Sequence, residues 1–308
     1  MNKKFLGITV FVTILIVGSI LLSSRQNTSQ NTLQVTASFY PLAELTRQVG
    51  GDKVVVITLV PTGTEPHDYN PTPQERVGLE RSKIFIYNGA GFEPWVDRIL
   101  PDLRSVKLID ASKNIQNIQL LPAIPKEGEA DKQVLYDPHF WLDPVLMQQI
   151  SNAIAQKLAE ADPANSFYYQ ENATRYNEKL SNLDDQFRQG LSSCQKKDAV
   201  TSHAAFAYLA KRYGFIQIPI AGLSEEEPSP ARLAEVSQLA KEKNIKYIFF
   251  ETLVSPKLSE TIAQEVGAKT LVLNPIEGIT QEEKQQGENY ITLMENNLIN
   301  LKIALDCL

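Results

Sequence analysis

From residue 33 onward, short runs of β-branched and aromatic residues alternate with longer segments of helical periodicity. This alternation is typical of βα units, in which crossover helices make neighbouring strands run parallel. The predicted strands are residues 33–39, 53–60, 83–87 and 107–109 in the first half, and 199–201, 215–219, 246–251 and 269–273 in the second. Because each half of the 308-residue chain holds four strands, we predict an α/β protein of two lobes, each with a four-stranded, mainly parallel sheet.

One long helix is predicted between the halves, because residues 163–194 contain no glycine before Gly190 and no strand pattern. Its apolar residues recur every three or four positions, so they share one face, which we expect to pack against both lobes. They are Ala173, Tyr176, Leu180, Leu183, Phe187 and Leu191. Asp162 and Pro163 would start the helix, and two shorter helices are the alternative. The expected domains are residues 33–161, a linking helix at 162–195, and residues 196–308.

The first 32 residues differ in kind from the rest of the chain. Two lysines precede an apolar stretch, residues 5–22, and no acidic residue comes before Glu44. This pattern predicts an export signal. The apolar stretch is near the lower length limit for a membrane span and residues 23–25 form a poor cleavage site, so an uncleaved anchor is the alternative. The polar residues 26–32 are expected to form a tether.

Charge and cysteine content suit an exported protein that binds a cation. The formal net charge is −6, or −9 without the three basic residues of the first 32. An acidic surface disfavours nucleic acid and suits a cation, although it also serves solubility. Cys194 and Cys307 are the only cysteines. An even number in an oxidising compartment favours a disulfide, and two unpaired thiols are the alternative.

The chain contains three histidines, and each follows a predicted strand or lies at the edge of a lobe. His67 lies in a loop rich in proline and glycine, His139 lies between prolines just before a helical pattern, and His203 lies one step beyond a strand. These positions correspond to the carboxyl ends of strands, where open α/β sheets bind ligands. Two histidines come from the first half and one from the second, so we predict a metal site in the cleft between the lobes.

Three imidazoles suit zinc, and also copper, nickel or iron, whereas manganese prefers more oxygen ligands. Glu277, the first carboxylate after the last predicted strand, is the favoured fourth ligand. Glu251 and water are the alternatives, and Glu251 could instead hold the second nitrogen of a histidine. Asp68 and Asp143 are candidates for orienting the imidazoles.

These residues resemble the metal-binding solute-binding proteins of bacterial ABC transporters for zinc and manganese, a group once labelled lipoprotein adhesins. The resemblance covers about residues 33–306. It is carried by Ala-Ser-Phe-Tyr-Pro at 37–41, Gly-Thr-Glu-Pro-His-Asp-Tyr at 63–69, Asp-Pro-His-Phe-Trp-Leu-Asp-Pro at 137–144, Ser-His-Ala-Ala-Phe at 202–206, Glu-Pro-Ser-Pro at 227–230, Phe-Glu at 250–251 and Tyr-Ile-Thr-Leu-Met-Glu-Asn-Asn at 290–297.

The resemblance implies two Rossmann-like lobes joined by a long backbone helix, with one metal ion in the cleft. It further implies delivery of that ion to a membrane permease driven by a cytoplasmic ATPase. His67, His139 and His203 match the ligand positions of the family, and Glu277 matches the fourth, acidic position. Manganese-binding members tend to have aspartate at this fourth position and a carboxylate at position 203. Zn2+ is therefore the expected ion and Mn2+ the alternative.

Two departures from the family pattern bear on this expectation. Residues 115–134 contain no histidine and only a short acidic stretch at 127–131, whereas many zinc members have a histidine-rich loop there. The lipid-attachment cysteine of Gram-positive relatives is also missing, which indicates a periplasm. We expect a monomer that binds no nucleic acid and is exported by its amino-terminal signal or tethered by it.

The sequence gives little support to two other functions. A zinc hydrolase needs an open coordination position and a general base, and the sequence has no His-Glu-x-x-His helix. A cell-surface adhesion protein would use its surface and treat the metal as a structural element, but no repeat or large exposed apolar run supports that role. We therefore predict that the protein is not an enzyme.

Overall fold

The computed structural model describes residues 32–115, 121, 136–223 and 228–308. The predicted signal and tether up to residue 31, the acidic stretch 127–131 and Glu227 of the 227–230 motif lie outside the described residues. Within the described ranges, no helix is both long enough and apolar enough to cross a membrane.

The first sheet consists of four strands that all pair in parallel, in the order β2-β1-β3-β4. They are β1 (Leu33–Ala37), β2 (Val54–Thr58), β3 (Ile84–Tyr87) and β4 (Lys107–Asp110). The second sheet is also parallel, in the order β6-β5-β7-β8. Its strands are β5 (Asp198–Thr201), β6 (Ile216–Pro219), β7 (Tyr247–Phe250) and β8 (Lys269–Val272). Each predicted strand is present with bounds within two residues of those expected, so the two-sheet α/β prediction is confirmed.

The two sheets share one topology. In each, the second strand is added on one side of the first and the third strand on the other side. A crevice opens at the carboxyl ends of the two central strands of such a sheet, which are β1 and β3 in the first half and β5 and β7 in the second. The fold therefore provides one ligand-binding edge from each half of the chain.

Ten helices complete the described part of the fold, and six of them begin at a side-chain cap or a first-turn proline. They are α1 (Tyr40–Gly50), α2 (Pro73–Glu80), α3 (Val96–Ile99), α4 (Pro144–Ala161), α5 (Ser166–Gly190), α6 (Ala207–Tyr213), α7 (Pro230–Glu242), α8 (Lys257–Val266), α9 (Gln281–Gln285) and α10 (Tyr290–Ala304). Asp143 caps α4, because its carboxylate accepts hydrogen bonds from the backbone N–H groups of Val145 and Leu146.

The predicted linking helix is a single unbroken helix, α5, and all six residues of its predicted apolar face are buried. It packs mainly against α4, and also against α1 and α10, so it contacts helices from both halves. Its start differs from the prediction. Asp162 and Pro163 begin a short 3-10 turn, and the Asp162 carboxylate accepts from the side chains of Asn165 and Tyr169 instead of capping the helix. The domain boundaries stay a prediction, since residues 33–308 form one unit.

The predicted disulfide between Cys194 and Cys307 is present. Backbone hydrogen bonds extend the link, from Gln195 N–H to the Asp306 carbonyl at 3.2 Å and from Lys196 N–H to the Leu305 carbonyl at 2.9 Å. The segment after α5 is therefore joined to the end of α10.

Candidate metal centre

Four side chains from the two halves of the chain converge on one point: His67, after β2; His139, in the loop before α4; His203, after β5; and Glu277, after β8. Their ligand atoms all lie within 4.8 Å of one another. Glu277 Oε1 lies 3.3 Å from His67 Nε2, 3.1 Å from His139 Nε2 and 3.3 Å from His203 Nε2. These are the four residues that the sequence singled out, and each half contributes two.

The cluster is almost closed to solvent. His139, His203 and Glu277 are buried, and only the His67 side chain keeps a measurable exposure, at 11%. The buried ring of Phe92 packs against His67 with ring centroids 4.7 Å apart. Ligand groups that are removed from water in this way must be satisfied by one another or by a bound ion.

The His67 loop is held from both halves of the chain. Gly63, at φ +80°, donates its N–H to the carbonyl of Ile279, which follows Glu277 in the second half, at 2.9 Å. The Glu65 carboxylate accepts from the His67 N–H at 3.0 Å, and Tyr69 donates its hydroxyl to Glu75 in the first turn of α2. These contacts hold His67 in place although it lies outside regular secondary structure.

His139 is oriented by Asp137, two residues earlier. Asp137 Oδ1 accepts from the His139 N–H at 2.8 Å and lies 2.7 Å from His139 Nδ1. In a neutral imidazole this contact favours the proton on Nδ1, with the lone pair of Nε2 facing the cluster. Asn88, at the end of β3, supports the same loop by donating its amide N–H to the carbonyl of Pro138 at 2.9 Å.

His203 is oriented in the same way by Glu251, which directly follows β7. Glu251 Oε1 lies 2.5 Å from His203 Nδ1 and also accepts from the Ser202 hydroxyl. Glu251 therefore holds the second nitrogen of a histidine, which is the role that the sequence offered as the alternative to direct ligation.

The two aspartates expected to orient the imidazoles do other things. Asp143 caps α4 and lies 3.4 Å from Arg212 Nε, so the prediction that it orients an imidazole is wrong. Asp68 is exposed. Asp137 is not among the residues predicted from the sequence, although its position two residues before His139, in Asp-Pro-His, is an available signal.

The loop that carries Glu277 contains an unusual backbone conformation. Ile276 has φ +56°, in the left-handed region that β-branched residues rarely adopt, at a typical cost of about 1–3 kcal/mol. Its N–H donates to the side-chain carbonyl of Asn274 at 2.8 Å, and the carbonyl of the intervening Pro275 accepts from the indole N–H of Trp141 at 2.8 Å. The turn that presents Glu277 is thus held from both halves of the chain.

Charges within the cluster shift the protonation equilibria. Burial alone would lower the pKa of His139, but the carboxylates of Asp137 and Glu277 outweigh it and raise this pKa. For His203, burial is likewise outweighed by the carboxylates of Glu251 and Glu277, which raise the pKa. Burial alone would likewise raise the pKa of Glu277, but the three imidazoles outweigh it, so this pKa lies well below its usual range. The site therefore favours positive charge at its centre.

The donor and acceptor pattern fits a metal cation. In the neutral form, which metal binding requires, His139 and His203 direct their Nδ1 protons to carboxylates and present Nε2 lone pairs to the Glu277 oxygen. His203 Nε2 is buried and has no hydrogen-bond partner among the described residues. Lone pairs that face one another need a cation between them, and three nitrogens with one oxygen suit tetrahedral zinc.

The chain matches known proteins along almost its whole length. The family described as the periplasmic zinc-uptake complex component A (ZnuA) matches residues 35–304. The high-affinity zinc uptake system protein ZnuA of Bacillus subtilis is 38% identical over an alignment of 318 positions that covers 99% of each chain. The zinc-binding lipoprotein AdcA of Streptococcus pneumoniae is 40% identical over an alignment of 292 positions that covers 92% of this chain and 58% of AdcA.

A solved structure agrees with this similarity. The Zn(II)-bound ZnuA-like domain of Streptococcus pneumoniae AdcA is 40% identical and matches with a TM-score of 0.77, over 90% of this chain and 100% of that domain. Given a family match over residues 35–304 and a relative 38% identical along its whole length, the chain belongs to the family of the periplasmic zinc-uptake complex component A.

Proposed function

We propose that this protein is the extracytoplasmic solute-binding component of an ABC transporter, and that it captures one zinc ion with His67, His139, His203 and Glu277. The observation that carries the proposal is the approach of three histidine Nε2 atoms to a single oxygen of a buried carboxylate, within 3.3 Å in each case. A cluster of lone pairs with so little access to water is suited to holding an ion.

Zinc is favoured over manganese by the donor atoms. Three imidazole nitrogens and one carboxylate oxygen form the mixed set that tetrahedral zinc accepts, whereas manganese prefers sites dominated by oxygen. The names of the relatives, a zinc uptake protein and a zinc-binding lipoprotein, support the same ion.

We further propose that the protein is a carrier and not an enzyme. A catalytic zinc site keeps a coordination position open for water, with three protein ligands around the metal. Glu277 would take that fourth position here, and its side chain is only 1% exposed. A surface adhesion function would not require such a buried cluster.

The partner proposed for this carrier is a permease in the membrane, driven by an ATPase on the cytoplasmic side, with the carrier working as a monomer on the outer side. Membership in a zinc-uptake family supports this arrangement. The apolar segment at the start of the sequence supports export or tethering, which would place the protein in the periplasm.

The test uses the fact that all three histidines of the chain lie in the proposed site. Imidazole NMR signals of the purified protein therefore report on this site alone. Titration with zinc should shift all three imidazoles together and saturate at one ion per chain, and manganese should bind more weakly. Saturation at one zinc with an unshifted imidazole would remove that histidine from the ligand set. Ester hydrolysis by the zinc-loaded protein at rates above those of free zinc would contradict the carrier role.

A further inference from the structure

The left-handed turn before Glu277 raises the question of what holds it. An isolated Asn-Pro-Ile segment would relax toward commoner backbone angles, because a branched Cβ clashes with the backbone at positive φ. In this protein Ile276 keeps φ +56° while its side chain is fully buried. The conformation must therefore be imposed by neighbouring groups.

Asn297, in the middle of α10, forms hydrogen bonds with Asn274, the residue at the start of this turn. Its side-chain oxygen accepts from the Asn274 N–H at 2.7 Å, and its side-chain N–H donates to the Asn274 carbonyl at 2.7 Å. One amide group thus binds both backbone polar groups of one residue, and Asn297 is only 1% exposed. Paired hydrogen bonds of this kind fix the orientation of a peptide as well as its position.

The side chain of Asn274 connects Asn297 to the next part of the loop. Its side-chain carbonyl accepts from the Ile276 N–H at 2.8 Å, and its amide N–H donates to Glu283 Oε1 in α9 at 3.0 Å. Because Asn297 fixes the backbone of Asn274, it also fixes the direction of the side chain that holds Ile276. Glu277 is the next residue in this chain of contacts.

We propose that Asn297 is a positioning residue for Glu277, acting through Asn274 and the left-handed turn. The inference rests on the proposed zinc site, in which Glu277 is a ligand. Two of the histidines have supports of their own: Asp137 holds His139 and Glu251 holds His203. Loss of the Asn297 amide should therefore weaken the Glu277 ligand and leave these two histidines in place.

The matched control lies one turn further along the same helix. Asn300 also donates its side-chain N–H to a backbone carbonyl of the second half, that of Val272 in β8, at 2.9 Å. It makes this contact before the turn begins. Asn297→Ala should weaken zinc binding by about 10- to 100-fold, the usual effect of losing a group that orients a metal ligand. Asn300→Ala should leave zinc affinity within about twofold, although both variants lose some stability.

A double-mutant cycle separates positioning from general damage, with zinc affinity measured by competition with a chelator. If Asn297 acts only through Glu277, Asn297→Ala should cause no further loss in a Glu277→Gln background, whereas its effect should add to that of His203→Ala, because Glu251 supports His203 separately. Equal losses in Asn297→Ala and Asn300→Ala, or full additivity with Glu277→Gln, would overturn the inference. A Glu277→Gln protein with unchanged affinity would refute the ligand assignment itself, which distinguishes the two failures.

A second variant, at Asn274, tests the same inference. If Asn297→Ala does not fold, Asn274→Ala removes the acceptor for the Ile276 N–H and should show the same lack of additivity with Glu277→Gln. Additivity in that cycle would equally overturn the inference, because Asn274 is the link through which Asn297 is proposed to act.

Discussion

Trp141 donates its indole N–H to the carbonyl of Pro275 at 2.8 Å, although the two residues are 134 positions apart in the sequence. The carbonyl of Trp141 in turn accepts the hydroxyl hydrogen of Tyr290, the first residue of α10, at 2.6 Å. One fully buried tryptophan of the first half thus contacts both the Glu277 loop and the helix that carries Asn297. The two halves are tied together directly beside the metal centre.

Removing this indole contact should destabilise the protein more than removing a comparable indole elsewhere. Trp141→Phe leaves the buried Pro275 carbonyl without a partner, which typically costs about 1–3 kcal/mol beyond the loss of packing. Trp95→Phe is the control, because Trp95 is equally buried and its indole N–H has no hydrogen-bond partner in the described part of the chain. Urea unfolding of the zinc-free proteins measures the difference, and equal destabilisation by the two changes would argue against the role given to the Pro275 contact.

Glu277 and Glu251 should differ in their effects on zinc binding. Glu251→Gln disturbs the partner of His203 Nδ1 and should cost about 10- to 100-fold in affinity. Glu277→Gln removes the negatively charged ligand group that all three imidazoles approach, so the loss of zinc affinity should be larger. Competition with a chelator measures both affinities, with circular dichroism checking the fold. The reverse order would assign the fourth ligand elsewhere.

Asp137 should be the aspartate on which His139 depends. Asp137→Asn would put an amide where the carboxylate now accepts from His139 and should weaken zinc binding by about 10- to 100-fold. Asp68→Asn changes the same residue type beside another proposed ligand, but Asp68 is exposed, so affinity should stay within about twofold. The NMR signal of His139 should move in the first variant only. Equal effects of the two changes would contradict this assignment.

Glu93 should make stability fall as the pH rises toward neutrality. Burial raises the pKa of this carboxyl to about 7, against hydrogen bonds from Ser38, Asn88 and Gly89 that lower it. The folded state therefore holds the proton more tightly than the unfolded state. The resulting stabilisation is complete below about pH 4.5 and is lost as the pH rises through 7, with an upper limit of about 3 kcal/mol.

The test compares Glu93→Gln with the unchanged protein in urea at about pH 5 and pH 8. The other titrating groups are common to both proteins, so the difference between their unfolding free energies isolates Glu93. The unfolding free energy of the unchanged protein minus that of Glu93→Gln should be more positive at the lower pH. A difference independent of pH would mean that Glu93 does not titrate in this range.

The disulfide should contribute strongly to stability because it closes a long loop. Cys194 and Cys307 are separated by 113 positions, for which the chain-entropy model gives up to about 4–5 kcal/mol. A Cys194→Ser, Cys307→Ser double variant should lose stability of this order in urea unfolding, and reductant should have no further effect on it. A loss below about 1 kcal/mol would indicate that the backbone pairing beside the disulfide is sufficient.

The parts of this structure that depend on local sequence could be predicted. Runs of β-branched residues predict the strands, and histidines after strands in a parallel fold predict the two-sided cluster. The supporting contacts could not be predicted in the same way. Asp143 precedes a proline and has one carboxylate, which caps α4 and is therefore not available to an imidazole. The hydrogen bonds between Asn297 and Asn274 depend on how α10 packs against β8, and no local sequence pattern encodes that packing.

The equal division of the ligand groups has a consequence for how an ion would leave. In the proposed site each half of the chain would supply two ligands, His67 with His139 and His203 with Glu277, and neither pair alone would hold zinc tightly. The unbroken helix α5 connects the two halves. It therefore sets the effective concentration of one pair of ligands around an ion that is bound to the other pair. Zinc–nitrogen bonds of about 2.0–2.1 Å tolerate little stretching. Separation of the halves by about an ångström would therefore turn a four-donor site into two weak chelators, without a change in pH and without unfolding either half.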